Sequence, residues 1–546
     1  MSWREGEIAM DDAGIATACQ DPLNMISGVG TAWTTANAGE AMPGVLYPLG
    51  WTFWGDGVNA VIMRVFQSLG LLSAREAAAL DPSIADHRFF GIFAGRACVN
   101  VSLVRAMGDR IPGSTGDAIE KQMFGGLNSG LVNEPMRRRY PAVVARLPIV
   151  LTQAIRSLRS ARIANERYWH EAIASPPQTL DQARRLLLAA TGRFESTMIV
   201  HLQNTLIAQA LYDRTSQLHG ADDLADHFAL STGYGAMEET AVLQGIWEMA
   251  HGLCTMDTFL NDHGYHGPRE GDITGRSWRE DHAPILSMMD LYCRVPIERS
   301  PREVERARVD VRRAAERRLL AGLTPAKRPF VALLLRWTAQ AILRRQVGKV
   351  AFLYAIDEAR VAARSAGQIM HAQGIIESPD DIAFLTVDEL TARPTRFAQL
   401  RDLIAQRNEI RCDYLKTEIP RHWTGNPIHT SIAARVARSE GVGRVSGLPV
   451  SGGVAEGTAR VVTDPVADGM DEGDILVCST TDPSWVPLMF LAGAVVVDIG
   501  GPMSHAAILA RELGIPCVVN TIDGSQRLRD GDPIRVDGST GHVVAL

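Results

Sequence analysis

The sequence predicts a multidomain protein in which a mostly α-helical domain is followed by a small α/β domain. Over residues 31 to about 430, apolar residues recur at spacings of three and four, in runs longer than strands allow. The stretches Thr179–Arg214 and Arg328–Met370 show this pattern most clearly. After about residue 430 the chain becomes rich in glycine and valine, and short apolar runs alternate with turns.

This change in texture divides the 546 residues into four segments. Residues 1–30 are acidic and weakly patterned, which favours an N-terminal arm. Residues 31–425 form the predicted helical domain, and residues 426–446 form a predicted hinge linker. Residues 447–546 form the predicted α/β domain. A chain of this length is expected to hold roughly two to four domains.

The C-terminal segment combines several short strands with one clear helix. That helix begins near His505, runs through AAILAREL and ends at Gly514, a residue type that favours helix termination. The predicted strands are TARVV, DILVC, GAVVVDI, PCVVN, PIRVD and HVVAL.

Composition excludes several classes of protein. The formal net charge is −7 with both signs interspersed, so clusters such as RRAAERR are interpreted as solvated helix faces and not as a nucleic-acid surface. The seven cysteines are widely spaced without a CxxC pair, which argues against disulfides and a zinc site, so no metal ligands are assigned. Neither a signal peptide nor an apolar run near the roughly 20 residues of a membrane span is found. The sequence predicts a cytoplasmic protein that binds neither nucleic acid nor membrane.

His505 lies where the C-terminal helix is predicted to begin. The glycine pair ending at Gly501 permits a sharp turn after the preceding strand, and Ser504 is a favourable N-cap. Free backbone N–H groups at a helix start bind anions, and an imidazole placed there can attack a phosphoryl group. Arg511 can reach the same anion or pair with an acidic neighbour such as Glu512. A capping or buried histidine is the alternative interpretation.

The string GGPMSHAAILARELGIPCVV resembles the phosphohistidine, or swivelling, domain of phosphoenolpyruvate (PEP) synthase, pyruvate phosphate dikinase and rifampin phosphotransferase, members of the PEP-utilising enzyme family. The resemblance implies that His505 carries a phosphoryl group, with Gly501, Ser504 and Arg511 near the phosphate. Further segments that resemble this domain are GLPVSGGVAEGTARVV, GDILVCSTTDPSWVPLM and RLRDGDPIRVDGSTGHVVAL.

The region from about residue 31 to 410 resembles, more loosely, the acceptor-binding domain of rifampin phosphotransferase, through segments 37–54, 259–273 and 374–390 in matching order. In those relatives an ATP-grasp domain precedes the helical domain. Neither a G-x-x-x-x-G-K-[ST] loop nor room for an ATP-grasp sheet is found here, and no pyruvate-binding barrel follows. The resemblance therefore implies that ATP and Mg²⁺ bind a separate ATP-grasp subunit, in a hetero-oligomer, and that no cofactor stays bound to this chain.

Two-component phenylphosphate synthase and the enzymes that phosphorylate 4-methylphenol resemble this arrangement. They imply a small hydroxylated aromatic acceptor, phosphorylated from His505 after the His domain swings about residues 425–447. One alternative is a component of an antibiotic phosphotransferase that acts on a rifamycin-like drug. Another is a non-catalytic phosphocarrier or regulatory protein, against which the long helical domain argues.

Ionisable residues crowd into the glycine-broken turn HGYHGPREGDI at residues 263–273. Transfer to a hydroxyl needs a base and positive charge near the phosphoryl oxygens. His266 is the favoured base and Arg269 the favoured phosphate contact, with Glu270 and Asp272 beside them. A solvated loop with local ion pairs is the alternative.

An aromatic cluster lies in a stretch bounded by proline and glycine, and aromatic walls suit a flat apolar acceptor such as a phenol. Ordinary core packing is the alternative. The predicted acceptor contacts are Tyr47, Trp51, Phe53 and Trp54.

Arg345 and Lys349 share a predicted helix and offer positive charge. They either steer phosphate or belong to a solvated helix face, and the helical pattern favours the second interpretation.

Overall fold

The computed structural model confirms a mostly helical region followed by a smaller region built on a sheet. None of the described helices is both long and apolar enough to cross a membrane. The structure describes residues 21–124, 126, 129–218, 228–235, 237–293, 300–392, 398–432, 444–463, 470–481, 485–501 and 504–546.

The α-helices of the described residues vary in length from single turns to more than ten turns. They are α1 Ala38–Ala41, α2 Pro48–Trp51, α3 Gly57–Ser68, α4 Ala74–Ala78, α5 Val101–Gly108, α6 Gly116–Phe124, α7 Tyr140–Ala174, α8 Leu180–Ser216, α9 Glu238–Ala250, α10 Met256–His263, α11 Ala283–Tyr292, α12 Pro301–Gly322, α13 Arg328–Ala372, α14 Val387–Thr391, α15 Ala398–Leu415, α16 Val486–Leu491, α17 His505–Leu513 and α18 Gly524–Arg527. A π-helix, Thr52–Asp56, joins α2 to α3. Short 3₁₀-helices are Ala85–His87, Arg137–Arg139 and Pro379–Phe384.

The strands are short throughout. They are β1 Ala32–Thr34, β2 Phe90–Phe93, β3 Arg96–Asn100, β4 Thr417–Glu418, β5 His422–Thr424, β6 Thr430–Ser431, β7 Arg444–Ser446, β8 Leu448–Ser451, β9 Val454–Val461, β10 Ile475–Cys478, β11 Ala494–Val497, β12 Cys517–Val519, β13 Pro533–Asp537 and β14 His542–Ala545.

Three long helices, α7, α8 and α13, pack together as the frame of the helical domain. Helix α8 begins with a reciprocal capping box in which Thr179 and Gln182 satisfy each other's backbone N–H groups. Helix α13 begins with a proline in its first turn and buries a stretch rich in alanine, where small side chains allow neighbouring helices to approach closely. The two periodic stretches singled out in the sequence are therefore confirmed as α8 and α13.

A four-stranded antiparallel sheet of order β2-β3-β1-β5 lies within the region predicted to be mostly helical. The sequence pattern did not predict it, because its strands have only three to five residues. Strand β5 comes from the far end of the domain and pairs with β1, so the two ends of the domain are joined.

The N-terminal arm predicted over residues 1–30 lies partly outside the described residues, which begin at residue 21. Residues 21–30 pack onto the helical domain. The N–H of Met25 donates to the carbonyl of Ile92 at 2.9 Å, and Leu23 is buried.

The C-terminal region contains all six predicted strands, which appear as β9 to β14. Strands β9, β10, β11 and β12 run parallel in that order, and antiparallel strands flank them in the order β7-β14-β13-β9 and β12-β8. Strand β7 falls at the end of the predicted hinge, so the sheet begins slightly before residue 447. Residues 433–443 of that hinge lie outside the described residues.

The sheet region is docked on the helical domain through a shared apolar cluster. Helices α9 and α11 contribute one side, and α16 and α17 contribute the other. The rings of Tyr292 and Phe490 stack across the boundary with centroids 5.4 Å apart. Polar contacts also cross it: Thr232 Oγ1 donates to the carbonyl of Arg511 at 2.6 Å, and Arg421 donates to the carbonyl of Asp498 at 3.0 Å. This docking places His505 against the helical domain.

Candidate functional site

His505 is the first residue of α17, as the sequence predicts. The Ser504 side chain accepts the N–H of Ala507 at 3.2 Å and caps the helix. Gly514 ends it in the left-handed conformation at φ 72°, where the absence of a Cβ removes the usual steric cost. Gly501 is buried just before the cap. The positive end of the helix dipole therefore lies at His505.

The surroundings of His505 come from both sides of the domain boundary. Thr481 Oγ1 lies 3.2 Å from Nδ1 of the partly buried imidazole. Burial, with the positive charge of Lys349 acting in the same direction, lowers the pKa of His505 to about 4. The charges of Glu239 and Glu270, also in the helical domain, act on the same ring. In the docked position the imidazole is therefore neutral near pH 7.

Lys349 places an ammonium group near His505. Its Nζ lies 3.1 Å from Glu270 Oε1 and 3.4 Å from Glu239 Oε1. Burial opposes its charge, but the two carboxylates outweigh burial and raise the pKa of Lys349. Its side chain is only 23% exposed, so the solvated-face interpretation is wrong for this residue. Helical periodicity alone did not reveal that Glu239 and Glu270 would fold against it.

His266 and Glu270 form a buried pair in the turn that follows α10. His266 is 2% exposed, and its Nδ1 lies 2.8 Å from Glu270 Oε2. Burial disfavours the charged form of His266, but contacts with Glu238 and Glu270 outweigh it and raise the pKa of the imidazole. Burial also opposes ionisation of Glu270, yet Lys349 and His266 lower the pKa of Glu270 to about 2. The predicted site residues His266 and Glu270 are thus linked to Lys349.

Arg360 of α13 holds this turn in place. The guanidinium is fully buried and donates to the carbonyls of Tyr265 at 3.2 Å, Glu270 at 2.6 Å and Asp272 at 3.2 Å. It also pairs with the buried carboxylate of Asp357 at 3.2 Å. One side chain thereby satisfies carbonyls that would otherwise be buried without a donor.

Arg269 and Asp272 contact each other. Arg269 forms an ion pair with Asp272, whose Oδ1 also accepts the N–H and the hydroxyl of Thr274 at 2.9 and 2.8 Å. These contacts shape the turn. A phosphate contact through Arg269 stays a prediction.

The predicted aromatic wall is packed mainly into the core of the helical domain. Phe53 contacts Phe194, and Trp54 contacts Phe90. Tyr47 is half-buried, and the guanidinium of Arg411 lies 3.9 Å from its ring centroid. The cluster's role as an acceptor surface stays a prediction. Its buried members are Trp51, Phe53 and Trp54.

Arg511 and Glu512 lie at the boundary with the helical domain. Arg511 is buried, and its Nη1 donates to the carbonyl of Val450 of the same sheet region at 3.1 Å, while its own carbonyl accepts Thr232 Oγ1 across the boundary. The Glu512 carboxylate accepts the N–H of Gly233 at 3.0 Å, and burial raises the pKa of Glu512 to about 7. A phosphate contact through Arg511 stays a prediction.

Sequence reasoning did not single out Glu238, Glu239 or Thr481. The two glutamates open α9, where acidic residues are common for reasons of helix stability alone. No local feature of the sequence indicated where these two glutamates would lie in the folded domain.

Glu238, His263 and His266 also offer ligand atoms that lie within 4.8 Å of one another, so they are able to hold a metal ion, although the sequence predicted none.

Comparison with known proteins agrees with this geometry. Residues 470–541 match the family model described as the PEP-utilising enzyme mobile domain. Residues 201–346 match the model described as the rifampicin phosphotransferase fourth domain. The two matches confirm the resemblance inferred from the sequence. The matched residues include His505, the 263–273 turn and Arg345, which lies one helical turn before Lys349.

Three relatives illustrate the range of similarity. Rifampicin phosphotransferase of Bacillus subtilis (strain 168) is 36% identical over 182 residues, which cover 33% of this chain and 21% of that protein. PEP synthase of Aeropyrum pernix is 51% identical over 108 residues, 19% of this chain and 13% of that protein. A Bacillus subtilis protein named uncharacterized phosphotransferase YvkC is 28% identical over 312 residues, 55% of this chain and 37% of that protein. The chain thus spans little more than a third of each relative's length at most.

The role of Arg360 leads to a prediction about stability. The substitution Arg360→Met leaves the carbonyls of the turn and the carboxylate of Asp357 without their buried donor. We expect the free energy of unfolding of the helical domain to fall by about 3 kcal/mol or more. Urea denaturation followed by circular dichroism measures this. Arg313→Met, at a side chain that is 67% exposed, is the control and should change stability by less than about 0.5 kcal/mol. Equal effects of the two substitutions would contradict the role of Arg360.

The pKa values of His505 and Glu512 predict that docking depends on pH in two opposite ways. In the docked position burial and Lys349 lower the pKa of His505 from its ordinary 6.5 to about 4; if undocking restores the ordinary value, the docked state binds fewer protons and docking weakens as pH falls below 6.5. Burial raises the pKa of Glu512 from its ordinary 4.5 to about 7; if undocking restores the ordinary value, docking weakens as pH rises toward 7.

The two contributions are separable by substitution. In Glu512→Gln only the His505 contribution remains, and the docked fraction should fall from pH 7 to pH 5. In His505→Asn only the Glu512 contribution remains, and the docked fraction should rise over the same interval. Energy transfer between a dye on the sheet region and a dye on the helical domain measures the docked fraction. Slopes of the same sign in both variants would refute this assignment.

Proposed function

We propose that this chain is the acceptor-binding and phosphoryl-carrying component of an ATP-dependent phosphotransferase. It carries a phosphoryl group on His505 and delivers that group to the hydroxyl of a small aromatic compound, such as 4-methylphenol. The observation that carries the proposal is the position of His505, which starts a helix and faces the buried array of Lys349, Glu270 and His266.

The charging step uses the neutral imidazole. When Nδ1 donates its proton to Thr481 Oγ1, 3.2 Å away, the lone pair of Nε2 is available for attack on phosphorus. The P–O bond of the donor breaks and a P–N bond to His505 forms. The start of α17 then stabilises the added negative charge through its dipole and backbone N–H groups.

The delivery step uses the charges of the helical domain. The Lys349 ammonium neutralises the phosphoryl oxygens as the P–N bond breaks, and a carboxylate receives the hydroxyl proton. We propose that this carboxylate is Glu239, so that Glu239 and not His266 is the base. Among the described residues, Glu239 Oε2 is buried without a hydrogen-bond partner. Both ring nitrogens of His266 instead face carboxylates, at 2.8 and 3.8 Å.

The proposed source of the phosphoryl group is a separate ATP-grasp subunit that binds ATP and Mg²⁺ in a hetero-oligomer with this chain. The matches to the PEP-utilising enzyme mobile domain and to the rifampicin phosphotransferase fourth domain support the phosphoryl-carrying role, which requires a donor of this kind. The same similarity makes a rifamycin-like hydroxyl compound the second candidate acceptor.

A labelling experiment tests the carrier role. The chain is mixed with Mg²⁺, ATP labelled at the β-phosphate and a candidate ATP-grasp protein, which is sought first in the reading frames beside its gene. We expect label on the chain that is stable to base and labile to acid, as a phosphohistidine is. His505→Ala should reduce this label to background, while His371→Ala, at an exposed helix end, should keep it. Undiminished label on His505→Ala would refute the carrier role.

The substitution Lys349→Met separates charging from delivery. Label should still accumulate on His505, whereas transfer to 4-methylphenol should slow by roughly 100-fold, because one preorganised positive group is removed. The rate at which label leaves the chain after acceptor is added measures this. Lys416→Met, at a side chain that is 72% exposed, is the matched control and should transfer normally. Normal transfer by Lys349→Met would contradict the role of Lys349.

The acceptor class is tested with the same labelled chain. Loss of label to 4-methylphenol but not to a rifamycin supports the phenol. Loss of label to the rifamycin alone would replace the phenol with the second candidate.

A further inference from the structure

Glu238, His263 and His266 converge from three places in the fold. Glu238 is the first residue of α9, His263 is the last residue of α10, and His266 follows in the turn. Nδ1 of His263 lies 3.5 Å from Glu238 Oε1, and Nε2 of His266 lies 3.8 Å from the same oxygen. All three ligand atoms lie within 4.8 Å of one another. We call these residues the His₂Glu cluster.

Among the described residues, the two nitrogens that face this oxygen form no hydrogen bond of ordinary length, and their contacts with Glu238 are long, at 3.5 and 3.8 Å. Both are buried, and the His266 side chain as a whole is only 2% exposed. A buried polar atom without a good hydrogen bond costs about 1–3 kcal/mol, so two atoms held at such separations around one oxygen need an explanation. The Glu238 oxygen already accepts the hydroxyl proton of Tyr265 at 2.8 Å. A cation between the three atoms satisfies both nitrogens at once, since each offers a lone pair to it.

The separations suit a tetrahedral site. Bonds of about 2.0–2.2 Å from zinc to nitrogen or carboxylate oxygen place neighbouring ligands of a tetrahedron about 3.4 Å apart. The observed 3.5 and 3.8 Å are close to this value. The shorter ligand spacing of an octahedral site, about 3 Å, fits less well.

The residues around the cluster orient its ligands in the way that metal sites require. Glu270 Oε2 lies 2.8 Å from Nδ1 of His266 and holds the ring with Nε2 toward the cluster. Lys349 in turn pairs with Glu270 at 3.1 Å. Tyr265 fixes Glu238. A carboxylate behind a metal-binding histidine is a recurring arrangement that fixes the tautomer and increases the basicity of the ligand.

We propose that Glu238, His263 and His266 bind one divalent transition-metal ion of the zinc class, with a fourth position left open. Two imidazoles and one carboxylate suit zinc and its neighbours better than Mg²⁺, which prefers oxygen ligands and keeps its waters. Three protein ligands with an open position are typical of catalytic and not of structural zinc sites.

The role of this ion rests on the proposed function. Its open position takes the hydroxyl oxygen of the acceptor and lowers the pKa of that hydroxyl. The proton passes to Glu239, the oxygen forms its bond to phosphorus, and the P–N bond to His505 breaks. The electron pair of the P–N bond returns to Nε2 of His505, whose Nδ1 has kept its proton, so the imidazole leaves neutral and the acceptor proton stays on Glu239. Because Glu270 both contacts His266 and acts on His505, the ion lies on the acceptor side of the same site.

Metal binding is measured on the full chain without any turnover. Bound metal is removed from the chain with a chelator, and the chain is then titrated with Co²⁺. Co²⁺ substitutes for Zn²⁺ here because its visible absorption reports the coordination of the ion. We expect one tightly bound equivalent with the intense absorption of a four-coordinate site. Glu238→Gln, which keeps the shape of the side chain, and His266→Asn should each lower the affinity at least 10-fold. His371→Ala, at an exposed helix end, should bind as the unchanged chain does.

Competing thiol sites are controlled by alkylating the exposed cysteines, which include Cys293 and Cys412, before the titration. Equilibrium dialysis against Zn²⁺ gives a second measure of stoichiometry. Should Glu238→Gln fail to fold, as judged by circular dichroism, His263→Gln takes its place. Equal affinity of the unchanged chain and the cluster variants would overturn the proposal.

The result separates this inference from the proposed function. His505→Ala should bind Co²⁺ normally while carrying no phosphoryl label. A chain that carries and transfers label at the same rate with and without bound ion would overturn the role of the ion and leave the carrier function standing. Absence of label with intact Co²⁺ binding would overturn the carrier function and leave the metal site standing.

Discussion

The buried guanidinium of Arg360 is the interaction on which the candidate site depends. It gathers the carbonyls of Tyr265, Glu270 and Asp272 and fixes the turn between α10 and α11 against α13. A turn rich in glycine has many accessible conformations, and a planar fork with several donors selects one of them. Because α13 also carries Lys349, the same helix supplies both the donor that shapes the turn and the charge that faces His505.

The site balances its charges inside a region from which water is largely excluded. Lys349 lies between Glu239 and Glu270, and His266 lies between Glu270 and Glu238. An unpaired charge at such depth is costly, so each group depends on its neighbours for its protonation state. The His505 ring is buried against this array, and burial together with the charge of Lys349 lowers its pKa.

Docking combines two kinds of contact with different consequences. The apolar cluster around Tyr292 and Phe490 supplies non-directional attraction, while the bonds from Thr232 and Gly233 to α17 fix the orientation of its helix. The bond from Gly233 ends on Glu512, a carboxylate whose pKa lies near 7. The proposed carrier role needs a docked state that is specific but reversible, and the few directional bonds at this boundary supply the specificity.

The sequence by itself determined the features that depend on near neighbours in the chain. The long periodic helices, the six strands β9 to β14, the N-cap Ser504 and the helix end at Gly514 all follow from local propensity and hydrophobic period. His505 was recognisable because the motif that carries the family resemblance lies within one continuous string. Tertiary structure alone decided what meets across the chain: β1 with β5, and Lys349 with Glu270. It also gathered the three residues of the His₂Glu cluster. These contacts join residues far apart in sequence, where no periodicity or local propensity records which side chains will share a site.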